Sequence, residues 1–386
     1  MITIALSAFK NYASGEYLGS MLRKGIQENN RHKIKVLSMA DGGEGSIKRM
    51  INDYQGKIKK FKANNALGDH VEADIGSYMY NGKSINIIET CQTAGFGYNT
   101  PTRYNTLTAS SYGTGHLIRA SLKNSPESLL IGLGGSIVSD GGIGAGYALG
   151  AKYFDYSGNE LDMRKNGYSC IDINNIERIS ISGIKNYSNT EIIVLSDVST
   201  PLLGKKGQAI SFGPQKGANK SDIKSIEIAL THWRDLLLKA YNIDFNTEFS
   251  GAAGGMASGF AALLGARLVS GSEYIYKNSK ISKEIKCSDY VIVGEGKLDK
   301  TSLLNKGSIF LTEKARSLGK KVIGVFGNIE IEKEIMSSQF DYIIDLSKIA
   351  DQNNIDQNYF LNKSNFEIFN LAGKEIADFI NDNKRV

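Results

Sequence analysis

The sequence predicts an α/β protein. A parallel, Rossmann-like domain is assembled from both ends of the chain, a mixed α/β domain is inserted between them, and the active site lies in the interdomain cleft. Three observations predict this. Apolar strands alternate with amphipathic helices near both termini. Alternating segments joined by turn signals break that rhythm after residue 57. Glycine-rich loops follow several strands, and most of them carry charged residues. At 386 residues the chain exceeds what one core organises efficiently. The expected division is 1–62 plus 288–386 for the parallel domain and 63–287 for the insert.

The elements follow in order. Ile2–Leu6 is a short apolar strand. Gly15–Asn29 places Tyr17, Leu18, Met21, Leu22 and Ile26 at helical spacing. Lys33–Met39 is a second strand, the Asp41–Gly45 loop follows it, and Ser46–Asp53 continues as helix. From Lys57 to Thr90 the pattern alternates around Gly68-Asp69 and Asn81-Gly82, and Asn-Gly is a strong hairpin signal. Tyr112–Leu122 reads as helix, Leu129–Leu133 and Ile192–Ser196 as strands, and Asp222–Lys239 as an amphipathic helix. Tyr290–Val293 and Val322–Phe326 are strands, each followed by helix, and the polar stretch Asp351–Asn362 is a surface loop.

Glycine supplies 42 of 386 residues while proline supplies 4, so the excess is not linker composition. Much of it sits in loops. Leu130–Gly150 holds eight glycines around one carboxylate, Asp140. Such a strand–loop–helix passage presents backbone N–H groups to an anion, although one such loop alone reads more readily as a tight packing turn. Four further segments accompany it: Asp41–Gly45, Phe212–Gly217, Gly251–Gly255 and Gly294–Asp299. Carboxylates therefore recur at strand ends, as Asp41, Glu44, Asp140, Asp197, Glu295 and Asp299, with Lys10, Lys216 and Lys297 beside them. Phosphoryl transfer uses this set of groups: carboxylates for Mg²⁺, backbone donors and lysines for phosphate, and a base near the accepting hydroxyl.

Several classes are excluded. The net charge of +6 is spread along the chain, and its densest run, Lys57–Lys62, alternates like a strand with a solvated face, so nucleic-acid binding is not expected. Cys91, Cys170 and Cys287 are far apart and odd in number, which fits a reducing, cytoplasmic setting and no thiolate metal site. The four histidines show no ligand spacing. The uncharged stretch Gly251–Ala266 is shorter than the roughly 20 residues a bilayer requires and reads as a small-residue helix packed inside the protein. The opening residues read as a strand, not a signal peptide. No G-x-G-x-x-G follows a strand, and the nearest P-loop match, Gly294–Thr301, has Asp299 where that motif needs glycine.

The ordered motifs resemble the glycerate kinase family, in the type that phosphorylates D-glycerate with ATP. The matching stretches are Ser7–Asn11, Met39–Gly45, Glu89–Gly95, Ala109–Ile118, Gly134–Gly142, Asp197–Gly204, Phe212–Ala218, Gly251–Gly255 and Gly294–Asp299. Four positions depart from the family pattern: Ser7 replaces Asp, Ser139 and Thr200 replace Asn, and Lys297 replaces Arg. These bear on the acceptor more than on the reaction type, because the carboxylates remain.

The resemblance implies ATP and Mg²⁺ as cofactors, a small hydroxy acid as substrate, and 2-phosphoglycerate, or else 3-phosphoglycerate, as product. It implies Asp140, Asp197 and Lys10 as catalytic residues, with Asp140 and Asp197 as metal ligands. The expected substrate- and phosphate-binding set is Asp41, Gly42, Gly43, Glu44, Gly134, Gly135, Ser136, Gly141, Lys216, Glu295, Lys297 and Asp299. The departures also admit a non-catalytic sensor of glycerate-like acids, or a kinase for a different hydroxy acid.

Overall fold

The computed structural model describes residues 1–9, 12–98, 101–162, 169–299, 302, 307–353, 355 and 367–383. The chain divides into two compact units: Met1–Ala40 with Tyr276–Val386, and Asp41–Ile275. The strands among the described residues are β1 (Ile2–Leu6), β2 (Ile34–Ser38), β3 (Lys57–Asn64), β4 (His70–Tyr80), β5 (Lys83–Glu89), β6 (Ser128–Gly132), β7 (Lys152–Phe154), β8 (Arg178–Ser180), β9 (Glu191–Ser196), β10 (Arg267–Ser270), β11 (Tyr290–Leu298), β12 (Lys321–Ile329) and β13 (Tyr342–Asp345).

The first unit is built on a five-stranded, all-parallel sheet in the order β13-β12-β11-β1-β2. Side chains alternate across a strand, so each strand feeds two cores. Ile2, Ile4, Leu6, Ile292, Ile323 and Val325 enter one core with the helices Gly15–Asn29 and Glu367–Asp382. Ala5, Val291, Val293, Val322 and Phe326 enter the other, with Ile281–Lys286 and Gly307–Ser317. Both faces are covered, which explains why these strands read as nearly continuous apolar runs. The helix Gly15–Asn29 coincides with its predicted range, and Ser14 caps it by accepting from the Tyr17 N–H.

The second unit carries a six-stranded sheet in the order β10-β9-β6-β5-β4-β3, in which only β4 opposes the others. The β4–β5 turn is Asn81-Gly82, with φ of 50° and 79°, the pair of positive values that a two-residue hairpin turn takes. A small antiparallel pair, β7 with β8, packs beside the helix Lys220–Tyr241, whose Ile226, Leu230, Trp233 and Leu237 are buried.

The apolar stretch that begins at Gly251 becomes a short helix, Met256–Leu264, buried within this unit. Among the described residues no helix is long and apolar enough to cross a membrane. The expected loop Asp351–Asn362 lies largely outside the described residues, and the helix Leu346–Gln352 runs into its start.

Candidate active site

Strand register brings four chain segments to one edge of the second unit. Glu89 on β5 pairs with Gly132 on β6, Gly132 with Leu195 on β9, and Ser196 with Ser270 on β10. Because the four strands are parallel, Glu89, Leu133–Gly135, Asp197 and Gly271-Ser272 all emerge at the same carboxyl end, where open α/β sheets bind ligands. The Asp41–Gly45 loop lies over that edge at van der Waals distance. A methyl group on Gly132 would sit 2.3 Å from the carbonyl oxygen of Gly42, and one on Gly271 would sit 2.0 Å from that of Asp41. Side chains at these crossings would push the loop away, so glycine is required there by close approach.

Asp197 is partly exposed at the end of β9. Ser272 donates to both of its oxygens, from its backbone N–H to Oδ1 at 2.8 Å and from its Oγ to Oδ2 at 2.7 Å. Asp41 accepts from the Gly43 N–H at 2.9 Å, and Glu44 is exposed. Glu89 is buried and accepts from the Ile47 N–H at 2.8 Å, which ties β5 to the start of the helix Ser46–Tyr54. Burial pushes its carboxyl up to about 7; the backbone N–H groups of Ile47 and Gly45 oppose that rise, and Glu44 and Asp41 reinforce it. Burial, with Glu89 beside it, also raises the Cys91 thiol, which favours its protonated form.

The glycine-rich loop after β6 faces two ways. Gly135 is exposed and Gly134 partly so, whereas Ser136, Val138, Ser139, Asp140, Gly141 and Gly142 are buried. Asp140 is wholly enclosed. Its Oδ2 accepts from the Ser111 N–H at 2.8 Å, the Ser111 Oγ at 2.6 Å and the Gly144 N–H at 3.4 Å, and its Oδ1 from the Gly142 N–H at 3.0 Å. Burial raises its carboxyl above the usual range against those donors. Lys216 is equally enclosed. Its Nζ donates to the Val138 carbonyl and lies 3.4 Å from the Ser139 Oγ. Burial lowers its ammonium to about 7, with Asp140 opposing the fall.

Further predicted residues lie in the first unit. Its sheet reverses direction of growth between β1 and β11. Ser7, just past β1, donates its N–H to the Gly294 carbonyl at 2.9 Å. On β11, Glu295 accepts from the Ser308 Oγ, and Lys297 is exposed and paired with Glu330 at 2.8 Å, a contact that raises its ammonium. Asp299 accepts from the Ser302 N–H at 3.3 Å. Lys10 lies outside the described residues.

The second unit thus gathers Asp41, Gly42, Gly43, Gly134 and Asp197 at one sheet edge and turns Asp140, Gly141 and Lys216 inward. Sequence reasoning did not single out Ser272, Ser111 or Glu89 as site residues. Ser272 had a faint signal, a Ser-Gly-Ser passage directly after an apolar strand. Among the described residues no group of three or more His, Cys, Asp or Glu side chains is arranged to hold a metal ion.

The profile of the glycerate kinase family matches residues 2–369. The chain is 34% identical over 332 residues to the glycerate 2-kinase of Escherichia coli, and 31% identical over 331 residues to a glycerate kinase of Halalkalibacterium halodurans; each match covers 85% of both chains. A glycerate kinase of Bacillus subtilis is 32% identical over 331 residues. The crystal structure of a protein named as glycerate kinase 2 from Salmonella typhimurium superposes with a TM-score of 0.79 at 28% identity, covering 100% of this chain and 99% of that one.

Proposed function

The chain belongs to the glycerate kinase family, and from that premise we propose that it transfers the γ-phosphoryl group of ATP to the C2 hydroxyl of D-glycerate, giving 2-phosphoglycerate. The family match supports a kinase that phosphorylates glycerate. The choice of C2 is supported by similarity to the Escherichia coli relative named glycerate 2-kinase.

One observation carries the site. Of the two aspartates expected to react, Asp197 is partly exposed at the carboxyl edge of the sheet, while both oxygens of Asp140 are enclosed by donors. This supports Asp197 as the reacting carboxylate and Asp140 as a holder of the loop after β6. The Gly134-Gly135 backbone, exposed at Gly135 and partly so at Gly134, would supply N–H groups for phosphate, and the Asp41–Gly45 loop lies over the same edge. Glu295, Lys297 and Asp299 stay in the proposed binding set, and Lys10 in the proposed catalytic set, on the strength of the motif match.

The donor chemistry fits Mg²⁺, which is held through one or two carboxylates together with substrate phosphates, not by an all-protein cage. Asp197 and Asp41 would hold it, and when bound it supplies positive charge to the phosphate oxygens. As the new P–O bond forms, the bond from the γ-phosphorus to the bridging oxygen breaks and that oxygen leaves with ADP; the hydroxyl proton of glycerate leaves too, and a carboxylate at this edge would take it.

The test is ADP release from ATP and Mg²⁺ with and without D-glycerate, followed by ³¹P NMR of the product. A phosphorus signal split as a doublet by one carbon-bound proton identifies the 2-phosphate; a triplet identifies the 3-phosphate and overturns the regiochemistry. Glycerate-dependent turnover lost in Asp197→Asn supports the site, and full turnover in that variant removes it.

A further inference from the structure

Asp197 reaches the sheet edge from β9, but its carboxylate is held from the neighbouring strand. Ser196 and Ser270 are register partners, so the helix Gly271–Lys277 begins beside Asp197. Its second residue, Ser272, meets the two carboxylate oxygens separately, with N–H to Oδ1 at 2.8 Å and Oγ–H to Oδ2 at 2.7 Å. A single donor leaves a carboxylate free to rotate about its last torsion; two donors from one residue fix its plane. Ser272 is itself only 5% exposed, so its own position is set by packing. The residue before it, Gly271, lies against the Asp41 carbonyl. The dipeptide Gly271-Ser272 therefore touches both chain segments whose carboxylates are assigned to the reaction.

We propose that Ser272 is a positioning residue for phosphoryl transfer, acting through Asp197 by holding its carboxylate plane in the reactive orientation. The proposal rests on the reading of Asp197 as the reacting carboxylate. A hydrogen bond that serves only the start of a short helix would affect folding alone. One that orients a reacting group affects turnover more than ground-state binding.

The experiment compares wild type, Ser272→Ala, Ser272→Cys, Ser272→Thr and Asp197→Asn in steady-state turnover with D-glycerate, alongside thermal unfolding of each. Ser272→Ala is expected to lower kcat about tenfold or more with KM for ATP within about twofold. Its melting temperature should fall by only a few degrees, roughly the cost of one hydrogen bond. Ser272→Thr, which keeps the hydroxyl, should recover most of kcat. Ser272→Cys, nearly the same size with a weaker donor, should fall between, and it replaces the alanine variant if that one does not fold. A wild-type kcat in Ser272→Ala or in Ser272→Cys, with Asp197→Asn inactive, overturns the role of Ser272 alone. Full turnover in Asp197→Asn instead removes Asp197 from the reaction, and the Ser272 proposal with it.

Discussion

The side-chain nitrogen of Lys216 donates to the backbone carbonyl of Val138, and that lysine is 2% exposed. A lysine in a glycine-rich Phe-Gly-Pro-Gln-Lys-Gly stretch would ordinarily be read as a phosphate ligand. Here two of its three donors turn into the loop after β6, to the Val138 carbonyl and the Ser139 hydroxyl. Holding an amine there costs solvation, which is why its ammonium falls from the ordinary 10.5 to about 7.

That depression predicts a stability profile. The folded state releases the Lys216 proton near pH 7, whereas the unfolded chain keeps it to about 10.5. Between those values the unfolded state binds more protons, so folding is favoured increasingly as pH rises. The stability of wild type relative to Lys216→Met should grow between pH 7 and pH 9 by about 2 kcal/mol. Denaturant unfolding of both proteins at the two pH values measures it. A pH-independent difference would mean that the amine is solvated in the folded protein.

Glu89 predicts the opposite slope. Burial raises its carboxyl from 4.5 to about 7, so between those values the folded state binds the extra proton. Its favourable contribution is complete below about 4.5 and is lost as pH rises through 7. Glutamine keeps an oxygen for the Ile47 N–H and cannot ionise. Glu89→Gln should therefore gain on wild type by about 2 kcal/mol between pH 5 and pH 8, measured by unfolding at both. A difference that does not change with pH over that range would show that Glu89 ionises in the fold as freely as in the unfolded chain.

The strands and helices read from the sequence were legible because period and turn chemistry are local, whereas the short strands β7, β8, β10 and β13 were not read. The helix Gly15–Asn29 follows from its apolar spacing and Ser14, and the hairpin from Asn81-Gly82. Four of the five motif loops were legible as glycine with charge, and Gly251–Gly255 as glycine and alanine alone. The direction in which each charged side chain turns was not legible, because the deciding partner is distant in sequence. Asp140 meets Ser111 29 positions away, Lys216 meets Val138 78 away, and Asp197 meets Ser272 75 away. A carboxylate in a glycine loop has the same local sequence whether it faces a ligand or caps its own chain. Only strand register, which brings β6, β9 and β10 side by side, separates the two cases.

The two aspartates should therefore respond differently to the same substitution. Asparagine at 140 sets an NH₂ group against donors from Ser111 or from Gly142, leaving at least one buried donor without an acceptor, at about 1–3 kcal/mol. Asp140→Asn should lower the melting temperature by several degrees while the folded fraction keeps kcat within about tenfold. Asp197→Asn should melt close to wild type and lose about 10²-fold or more in kcat. Calorimetry and steady-state kinetics on the same preparations decide it, and the reverse pattern would return the reaction to Asp140.

The Val138 carbonyl that receives Lys216 is also approached by Gly254, and this gives a test confined to the backbone. Gly254 has φ of 72°, and a methyl group there would lie 1.9 Å from the Val138 oxygen. No side chain can relax that clash, because both partners are main chain and the Gly141 N–H is bonded to the Gly254 carbonyl at 3.0 Å. Gly45 has φ of 93° but nothing within 4 Å of the same added atom. Gly45→Ala therefore meets only the left-handed backbone penalty, about 1–2 kcal/mol. Gly254→Ala meets that penalty plus the overlap, and should lose about 4 kcal/mol or more, or fail to fold. The comparison by chemical unfolding separates loop strain from loop packing. Equal losses would mean that the loop after β6 can move away from Gly254, and a loop able to do that would not need Lys216 to hold Val138.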